Sequence, residues 1–313
     1  MEKGLVIKST GSWYLVKTER GIVECRIRGK LRTKGLRTTN PIAVGDHVLF
    51  ELEDNGNGLI SSIEERKNYI IRKSTNLSKQ AHILAANLDL AVIVVTLTSP
   101  RTYQQFIDRF LVTAEAYRIP VLIVFNKIDL FDEDLKMELW YMMDMYKKIG
   151  YQCIAVSIKN QQNTEELRQL LKGKISLVAG HSGVGKSSLL NLLNPQLNVK
   201  TAAVSESHDS GMHTTTFPEM HQIDNETWVI DSPGIKGFGV LEVDKSELYH
   251  YFPEIFAISA DCQFNNCTHT HEPKCAVKQA VDNGQINPFR YDSYLNILND
   301  EDEEKYRQGD SDY

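Results

Sequence analysis

Apolar and polar residues alternate in short runs along the first 64 residues, which is the pattern of half-buried β-strands. Clusters of turn-forming residues at 9–12 and 54–58 separate the runs. The pattern predicts five strands: Gly4–Lys8, Trp13–Lys17, Ile22–Ile27, Asp46–Glu51 and Leu59–Ile63. Five short strands of this kind favour a small barrel of the OB type, a fold that often binds oligonucleotides on one face.

The pattern changes after a charged stretch at residues 65–74, which we interpret as a connector. From Leu88 onward, continuous apolar runs alternate with segments of helical periodicity. The apolar runs predict strands at Ala91–Leu97, Pro120–Phe125, Tyr151–Val156, Ile175–Ala179, Phe217–Ile223 and Thr227–Asp231. The periodic segments predict helices at Tyr103–Arg118, Glu133–Ile149, Thr164–Leu171 and Lys186–Leu193. Buried strands that alternate with helices indicate an α/β domain with a parallel sheet.

A glycine-rich segment lies between the predicted strand Ile175–Ala179 and the predicted helix Lys186–Leu193. It reads G-H-S-G-V-G-K-S and matches the phosphate-loop signature G-x-x-x-x-G-K-[ST]. The backbone amides of such a loop cradle a β-phosphate, and a ligand-free glycine turn is disfavoured by this context. We assign Lys186 a catalytic role as the cation that neutralises phosphate oxygens, and Ser187 the role of a Mg²⁺ ligand. The predicted nucleotide contacts of the loop are Gly180, Ser182, Gly183, Val184, Gly185, Lys186, Ser187 and Ser188.

The tetrapeptide Asn126-Lys127-Ile128-Asp129 follows the predicted strand Pro120–Phe125. The N-K-x-D signature recognises guanine. The Asp129 carboxylate accepts hydrogen bonds from the base, the Asn126 amide faces O6 and the stem of Lys127 packs on the ring. Adenine offers the opposite donors and acceptors and would leave Asp129 unpaired. The same tetrapeptide also makes ordinary turns, but a phosphate loop in the same chain favours the guanine interpretation. Ser157 follows the third strand, where a backbone amide is expected to touch guanine O6.

Two further segments complete the predicted nucleotide site. Asp231-Ser232-Pro233-Gly234 closes an apolar strand, so that Asp231 can hold Mg²⁺ through water and the amide of Gly234 can meet the γ-phosphate; a plain β-turn is the alternative. Three consecutive threonines occupy positions 214–216. We expect one of their hydroxyls, with Thr215 as the candidate, to complete the Mg²⁺ shell and to act in catalysis.

The order of these motifs is unusual. Ordinary GTPases run from phosphate loop to threonine switch, D-x-x-G and N-K-x-D, whereas here N-K-x-D precedes the phosphate loop. The sheet is therefore predicted to be a circular permutation of the usual one. The D-x-x-G motif then leads directly into the C-terminal part of the chain, so loss of γ-phosphate can move that part.

The cysteines indicate a metal site. Cys262-x₄-Cys267-x-His269-x₅-Cys275 supplies three thiolates and an imidazole, which fits a closed, structural tetrahedral Zn²⁺ site. His271 is an alternative to His269, and a set of buried free thiols is the alternative to a metal. Cys25 and Cys153 lie in predicted strands and are expected in the core. We accordingly divide the chain into an OB-type domain (1–70), a permuted GTPase domain (71–245) and a mostly helical zinc domain with an acidic tail (246–313).

Charge and hydropathy limit the partners. Residues 1–37 carry ten Lys/Arg and three Glu, a balance of +7, which suggests a polyanionic partner such as RNA; a solvated basic face is the alternative. The apolar run Leu90–Leu97 is far shorter than the roughly 20 residues of a membrane span. The N-terminus lacks the apolar stretch of a signal peptide, so we expect a cytoplasmic protein.

Taken in this order, the motifs resemble those of the circularly permuted, ribosome small-subunit-dependent GTPases of bacteria, the ribosome biogenesis GTPase A family. The resemblance covers nearly the whole chain. It includes Ala86-Asn87-Leu88-Asp89, the nucleotide motifs, H-T-T-T, the Cys/His cluster, Phe252-Pro253-Glu254 and Arg290-Tyr291-x-x-Tyr294.

This resemblance implies a monomeric factor that hydrolyses GTP late in maturation of the small ribosomal subunit, binds its rRNA and is stimulated by it. The family has a hydrophobic residue, here Ile235, in place of the water-orienting glutamine, and His213 is the nearest catalytic candidate; a solvated loop histidine is the alternative. Ile158 and Met212 depart from the usual alanine and arginine. An rRNA-binding scaffold with a regulatory, non-hydrolysing GTP site remains the competing hypothesis, and Asn126 with Asp129 disfavours an ATPase or small-molecule kinase.

Overall fold

The N-terminal part of the chain is a closed β-barrel. The computed structural model describes residues 1–29, 41–73, 81–199, 219–231 and 244–299. The barrel strands are β1 (Glu2–Ser9), β2 (Tyr14–Thr18), β3 (Gly21–Ile27), β4 (His47–Leu52) and β5 (Gly58–Ile63). They follow the order β1-β2-β3-β5-β4, and an additional β1–β4 pairing closes the sheet. The predicted OB-type barrel is confirmed because alternate residues, as in β2, point to a common interior.

A buried ion pair fixes the segment that enters β4. The carboxylate of Asp46 is fully buried and lies 2.6 Å from both Nε and one terminal nitrogen of Arg66. It also accepts a bond from the amide of Ala43 at 2.8 Å, and Arg66 donates to the carbonyl of Pro41 at 2.7 Å. Arg66 thus ties the chain after β5 to the loop before β4.

A two-stranded hairpin occupies part of the predicted connector, and that prediction was wrong. It consists of β6 (Tyr69–Lys73) and β7 (Ala81–Ala86), which pair antiparallel. Ile70 is buried in the main core, while the charged residues in the same stretch masked its strand signal. The hairpin contacts the barrel, because the amide of Ala86 donates to the carbonyl of Val44 at 2.9 Å. Gly45 has φ +90, and a Cβ there would collide with the carbonyl of Ala86.

The central sheet carries the nucleotide motifs. Its strands are β8 (Leu90–Val95), β9 (Val121–Phe125), β10 (Gln152–Ala155), β11 (Ile175–Ala179), β12 (Glu219–Gln222) and β13 (Trp228–Asp231). They follow the order β10-β9-β8-β11-β13-β12, with only β12 antiparallel to its neighbour among these strands. Every residue of β8 and β9 is buried, which explains their unbroken apolar runs.

Helices cover both faces of this sheet. They are α1 (Gln104–Ala116), α2 (Glu133–Ile149), α3 (Thr164–Leu171) and α4 (Lys186–Leu193). The bounds of α2, α3 and α4 are those predicted. For α2 the signals are local: Asp132 caps its N-terminus by accepting from the amide of Leu135 at 2.9 Å, and Gly150 ends it with φ 110.

The C-terminal part is helical, as predicted. A 3₁₀ turn at Leu248–Tyr251 precedes α5 (Pro253–Ser259), α6 (Ala276–Asp282) and α7 (Pro288–Asn299). These helices pack around a core that includes Phe252, Ile255, Val277 and Tyr294, and Val112 of α1 contributes to it. In the part of the chain that the structure describes, no helix is long and apolar enough to cross a membrane.

The barrel also joins the central sheet directly. Strand β1 pairs with β12 at Lys8 and Glu219, and the two side chains form an ion pair at 3.1 Å. The pair is solvent-exposed and therefore contributes little to stability. Its position nevertheless continues the sheet of the nucleotide domain into the barrel.

We expect Asp46→Asn to destabilise the barrel by about 3 kcal/mol, the low end of the range for removing one partner of a buried ion pair. The substitution keeps the shape of the side chain but leaves the Arg66 guanidinium without a counter-charge. Urea unfolding measures the loss. Glu219→Gln, which removes an exposed ion pair, is the control and should leave stability nearly unchanged; an equal effect of the two would contradict the assignment.

Candidate functional site

Glycines shape the loop between β11 and α4. Gly180, Gly183 and Gly185 have φ values of 148, 81 and 104, in the region that favours glycine. A Cβ on Gly180 would collide with the carbonyl of Val94, and one on Gly185 with the side chain of Asn126. The loop therefore lies directly against its neighbours and leads into the N-terminus of α4, an arrangement suited to binding phosphate.

The predicted lysine and aspartate lie together at this loop. The ammonium of Lys186 donates to the carbonyls of Gly180 and His181 at 2.8 and 2.7 Å, so it lies within the curve of the loop. Burial lowers the pKa of Lys186, and the charge of Asp231 opposes the shift. Burial raises the pKa of Asp231, opposed by Lys186 and His221. A cation at the start of α4 and a carboxylate at the end of β13 can serve phosphate and a hydrated metal ion, respectively.

Asn126 joins the N-K-I-D loop to the phosphate loop. Its side-chain amide donates to the carbonyl of Val184 at 2.8 Å, and its carbonyl accepts from the amide of Ile158 at 3.2 Å. The side chain is buried, and both of its polar ends are engaged by protein. The structure therefore gives Asn126 a loop-bridging role, and its contact with guanine O6 stays a prediction.

Asp129 is held by Ser157. The serine hydroxyl donates to the carboxylate at 2.5 Å and accepts from the amide of Asn160 at 3.1 Å. The amide of Ser157 itself donates to the carbonyl of Gln162 at 3.2 Å, so the structure uses it within the loop and not toward a base. The signal for this role was a short hydroxyl residue at a strand end facing the N-K-I-D loop.

The segment after β8, which the sequence analysis missed, contacts the predicted site residue Lys127 and the phosphate loop. Lys127 has a left-handed backbone and donates from Nζ to the carbonyl of Ser99. Burial lowers its pKa, opposed by Asp129. Pro100 lies beside Gly183, close enough to touch a side chain placed there. No motif marks residues 96–102, although a Ser-Pro pair after a buried strand end was a signal for a structured loop.

Three predicted site residues lie outside the described residues: His213, Thr215 and Gly234. The remaining predicted nucleotide residues meet at the carboxyl edge of the central sheet. That edge is where ligands bind in open parallel α/β sheets.

The Cys/His cluster forms a compact group of side chains that could hold a metal ion. The ligand atoms of Cys262, Cys267, His269 and Cys275 all lie within 4.8 Å of one another. Nδ1 of His269 is 3.6 Å from the sulfur of Cys262 and 3.5 Å from that of Cys275, and these sulfurs are 3.9 Å apart. Donors around one tetrahedral ion with bonds of about 2.3 Å lie about 3.8 Å apart. The residues therefore fit a tetrahedral metal ion.

The alternative ligand His271 and the two remaining cysteines lie outside this ligand set. His271 is exposed and contacts the hydroxyl of Thr270 at 2.9 Å, away from the cluster. Cys25 is buried in the barrel core, and Cys153 packs half-buried against the main core. Burial raises the pKa of the Cys267 thiol to about 12, so a metal ion that binds here must displace its proton.

The fold and the site together define a P-loop guanine-nucleotide-binding protein whose motifs run in permuted order. Residues 63–241 match the RsgA GTPase family, and residues 3–60 match the RsgA N-terminal domain. The chain belongs to the RsgA GTPase family and is a GTP-hydrolysing enzyme.

Relatives and solved structures agree with this membership. The chain is 55% identical over 306 residues to Small ribosomal subunit biogenesis GTPase RsgA 2 of Bacteroides thetaiotaomicron. The match covers 97% of this chain and 99% of that relative. It is similar to YjeQ from Thermotoga maritima, with 35% identity, a TM-score of 0.77 and coverage of 95% and 97%. It is also similar to YloQ, described as a circularly permuted GTPase, with 29% identity, a TM-score of 0.74 and coverage of 100% and 97%.

Asp129→Asn should weaken GTP binding strongly and shift preference toward xanthosine nucleotides. The carboxylate's two charge-assisted bonds to guanine are worth about 1.5–3 kcal/mol each, and an amide presents a donor where xanthine offers an acceptor. Competition binding with GTP and xanthosine triphosphate measures the shift. Asp134→Asn, an exposed position on α2, is the matched control. Unchanged GTP affinity in Asp129→Asn would remove the guanine assignment.

Proposed function

We propose that this enzyme hydrolyses GTP to GDP and phosphate during late maturation of the small ribosomal subunit, and that the subunit stimulates the reaction. The observation that supports GTP as the substrate is the pair of hydrogen bonds made by the Asn126 side chain, which hold the N-K-I-D loop against the phosphate loop. The subunit is proposed because the relatives with 55% identity across the chain are named small ribosomal subunit biogenesis GTPases. The cytoplasm follows as the proposed location, since that is where bacterial ribosomes assemble.

The proposed roles of the site residues follow the chemistry of phosphoryl transfer. Lys186 neutralises charge on the β- and γ-phosphates, while Ser187 and Thr215 ligate Mg²⁺ and Asp231 holds it through water. His213 orients or activates the attacking water. The amides of Gly180–Ser188 and of Gly234 contact phosphate, and Lys127, Asp129 and Ser157 form the guanine pocket with Asn126.

We further propose the division of the chain into 1–70, 71–245 and 246–313, a monomeric state, and Zn²⁺ as the ion of the Cys/His cluster. Three thiolates and one imidazole are a typical zinc donor set, and four protein ligands leave no position for a substrate, which favours a structural role. The first boundary crosses β6, so the hairpin belongs physically to both neighbours.

Most of the basic side chains that the structure describes in the first 37 residues are paired with carboxylates. Five of the six described Lys/Arg residues within positions 1–37 form ion pairs: Lys3, Lys8, Arg20, Arg26 and Arg28. These pairs cancel much of the positive balance that the sequence suggested. Among the described bases of this stretch, Lys17 forms no ion pair. The bases at positions 30, 32, 34 and 37 lie outside the described residues, and we propose them as the phosphate contacts.

GTP turnover should rise with added small subunits, and glutamine at Lys30, Arg32, Lys34 and Arg37 should remove most of that stimulation. Each lost phosphate contact is expected to reduce the salt-dependence slope of binding by about 0.7–0.9. Phosphate release against titrated subunits, and co-sedimentation at two salt concentrations with GDP and a non-hydrolysable GTP analogue, measure both effects. Basal hydrolysis should not change, because the four positions lie outside the nucleotide motifs.

The control carries four charge-matched substitutions to glutamine at exposed lysines of the GTPase domain, namely Lys136, Lys147, Lys148 and Lys172. Equal loss in the control would indicate a general charge effect. Subunit binding without any stimulation of turnover would contradict the proposed stimulation by the subunit.

Cys267→Ser should release the metal and unfold the C-terminal helices. Structural zinc supplies roughly 10–16 kcal/mol of folding free energy in small modules, and Cys267 and Cys275 are themselves part of the buried core of these helices. Elemental analysis of protein purified without chelator, combined with circular dichroism, measures both. Cys153→Ser, a cysteine outside the cluster, is the control and should retain the metal. Substoichiometric zinc in the wild-type protein would contradict the assignment of the ion.

A further inference from the structure

The buried cation Arg290 brings together two motifs that have no assigned role. These are Phe252-Pro253-Glu254 and Arg290-Tyr291-x-x-Tyr294. Arg290 on α7 has no exposed side-chain surface. Its Nε donates to Glu254 at 2.7 Å, one terminal nitrogen donates to the same carboxylate at 3.3 Å, and the guanidinium carbon lies 4.6 Å from the ring centroid of Phe252. One side of the guanidinium is thus fixed within the C-terminal helices.

The other terminal nitrogen of Arg290 contacts the nucleotide domain. It donates to Asp108 on α1 at 2.6 Å, and this carboxylate is also fully buried. Asp108 further accepts from the hydroxyl of Tyr146 on α2 at 2.8 Å and from the side chain of Gln104 at 3.3 Å. Burial works against the charge on Arg290, but Asp108 and Glu254 outweigh it and hold the pKa of Arg290 above its usual value.

The same turn of α1 reaches the phosphate loop. The ring of Phe106, two residues before Asp108, lies against the imidazole of His181 with centroids 3.7 Å apart and an interplanar angle of 31°. His181 is the second residue of the phosphate loop, and its carbonyl accepts from Lys186. A displacement of this turn would therefore move the loop residue that positions the lysine.

The far side of α7 is anchored to the metal loop. The hydroxyl of Tyr291 donates to the carbonyl of His269 at 2.5 Å, and that of Tyr294 donates to the carbonyl of Thr268 at 2.7 Å. Hence α7 contacts the metal-binding loop through its tyrosines and α1 through its arginine. Because side chains in a packed interior have few alternative positions, a shift at one contact must be accommodated at the other.

We propose that Arg290 is a positioning residue for the nucleotide: through Asp108 it fixes the turn of α1 whose Phe106 holds His181 and the phosphate loop. The C-terminal helices therefore set the affinity of the site for nucleotide although they contribute no residue to it. This inference rests on the nucleotide site proposed above. It connects the site to the C-terminal helices by a route separate from the D-x-x-G segment.

The test measures the dissociation constant for a fluorescent GDP analogue in the full-length, metal-loaded protein. Phe106→Leu, Asp108→Asn and Arg290→Lys should each raise it by between about twofold and thirtyfold, the usual range for coupling through packed contacts. Phe106→Leu is a mild change at a half-buried position and keeps the test valid if the charge variants fail to fold. Thermal unfolding and metal content are recorded for each variant.

A double-mutant cycle separates positioning from general destabilisation. If Arg290 acts through Phe106, the double variant Phe106→Leu/Arg290→Lys should bind GDP no more weakly than the weaker of the two single variants. If the two substitutions acted independently, their fold-losses in affinity would multiply in the double variant. That result would overturn the proposal that Arg290 acts through Phe106. Asp46→Asn, which breaks a comparably buried ion pair in the barrel, is the control and should leave GDP affinity at the wild-type value.

The outcomes also distinguish this inference from the function on which it rests. Wild-type protein that fails to bind the GDP analogue would contradict the nucleotide site itself. Wild-type binding with unchanged affinity in Phe106→Leu and Arg290→Lys would overturn only the positioning role of Arg290. An equal loss of affinity in Asp46→Asn would do the same, because it would show that affinity follows overall stability.

Discussion

The buried side chain of Asn126 is the contact on which the nucleotide site depends. It bonds to the phosphate loop at Val184 and to the loop after β10 at Ile158, and thereby holds three loops at one edge of the sheet. The close approach is possible only because Gly185 has no side chain. A buried amide with both ends satisfied stabilises one arrangement of its neighbours, since any other leaves polar groups unpaired in the interior.

Permutation of the chain leaves this arrangement intact because strand pairing does not depend on which strand comes first. The strand before the guanine loop and the strand before the phosphate loop are both parallel neighbours of β8, on opposite sides. Their carboxyl ends therefore meet regardless of chain order. What permutation changes is the connections: β13 now leads toward the C-terminal helices, and the barrel precedes the whole sheet.

Buried ion pairs fix the chain at two places, one at the barrel and one between the nucleotide domain and the C-terminal helices. Asp46 with Arg66 fixes the loop beside the hairpin, and Asp108 with Arg290 joins α1 to α7. Burying charge costs several kcal/mol per ion, so such pairs specify a particular contact more than they stabilise the fold. A specific contact is what distinguishes a C-terminal unit that affects the nucleotide site from one that is only tethered to it.

The sequence by itself determined the elements and motifs whose causes are local. The helices α2, α3 and α4, the five barrel strands and the Cys/His spacing follow from periodicity, caps and ligand chemistry, which act over a few residues. It also indicated the permuted order, because motif order is itself a property of the chain. The hairpin at β6 and β7 was missed, since its burial against the main core comes from distant residues that outweigh its charged composition.

Only the tertiary structure decided which distant residues form hydrogen bonds and ion pairs with one another. Asn126 became a bridge and Ser157 a support for Asp129 because their partners, at Val184 and in the N-K-I-D loop, are brought close by strand pairing. The barrel bases were expected to bind RNA, but carboxylates that folding brings close pair with five of them. Arg290 meets Asp108 across 182 positions of chain. No local pattern encodes such contacts, because packing of whole elements creates them.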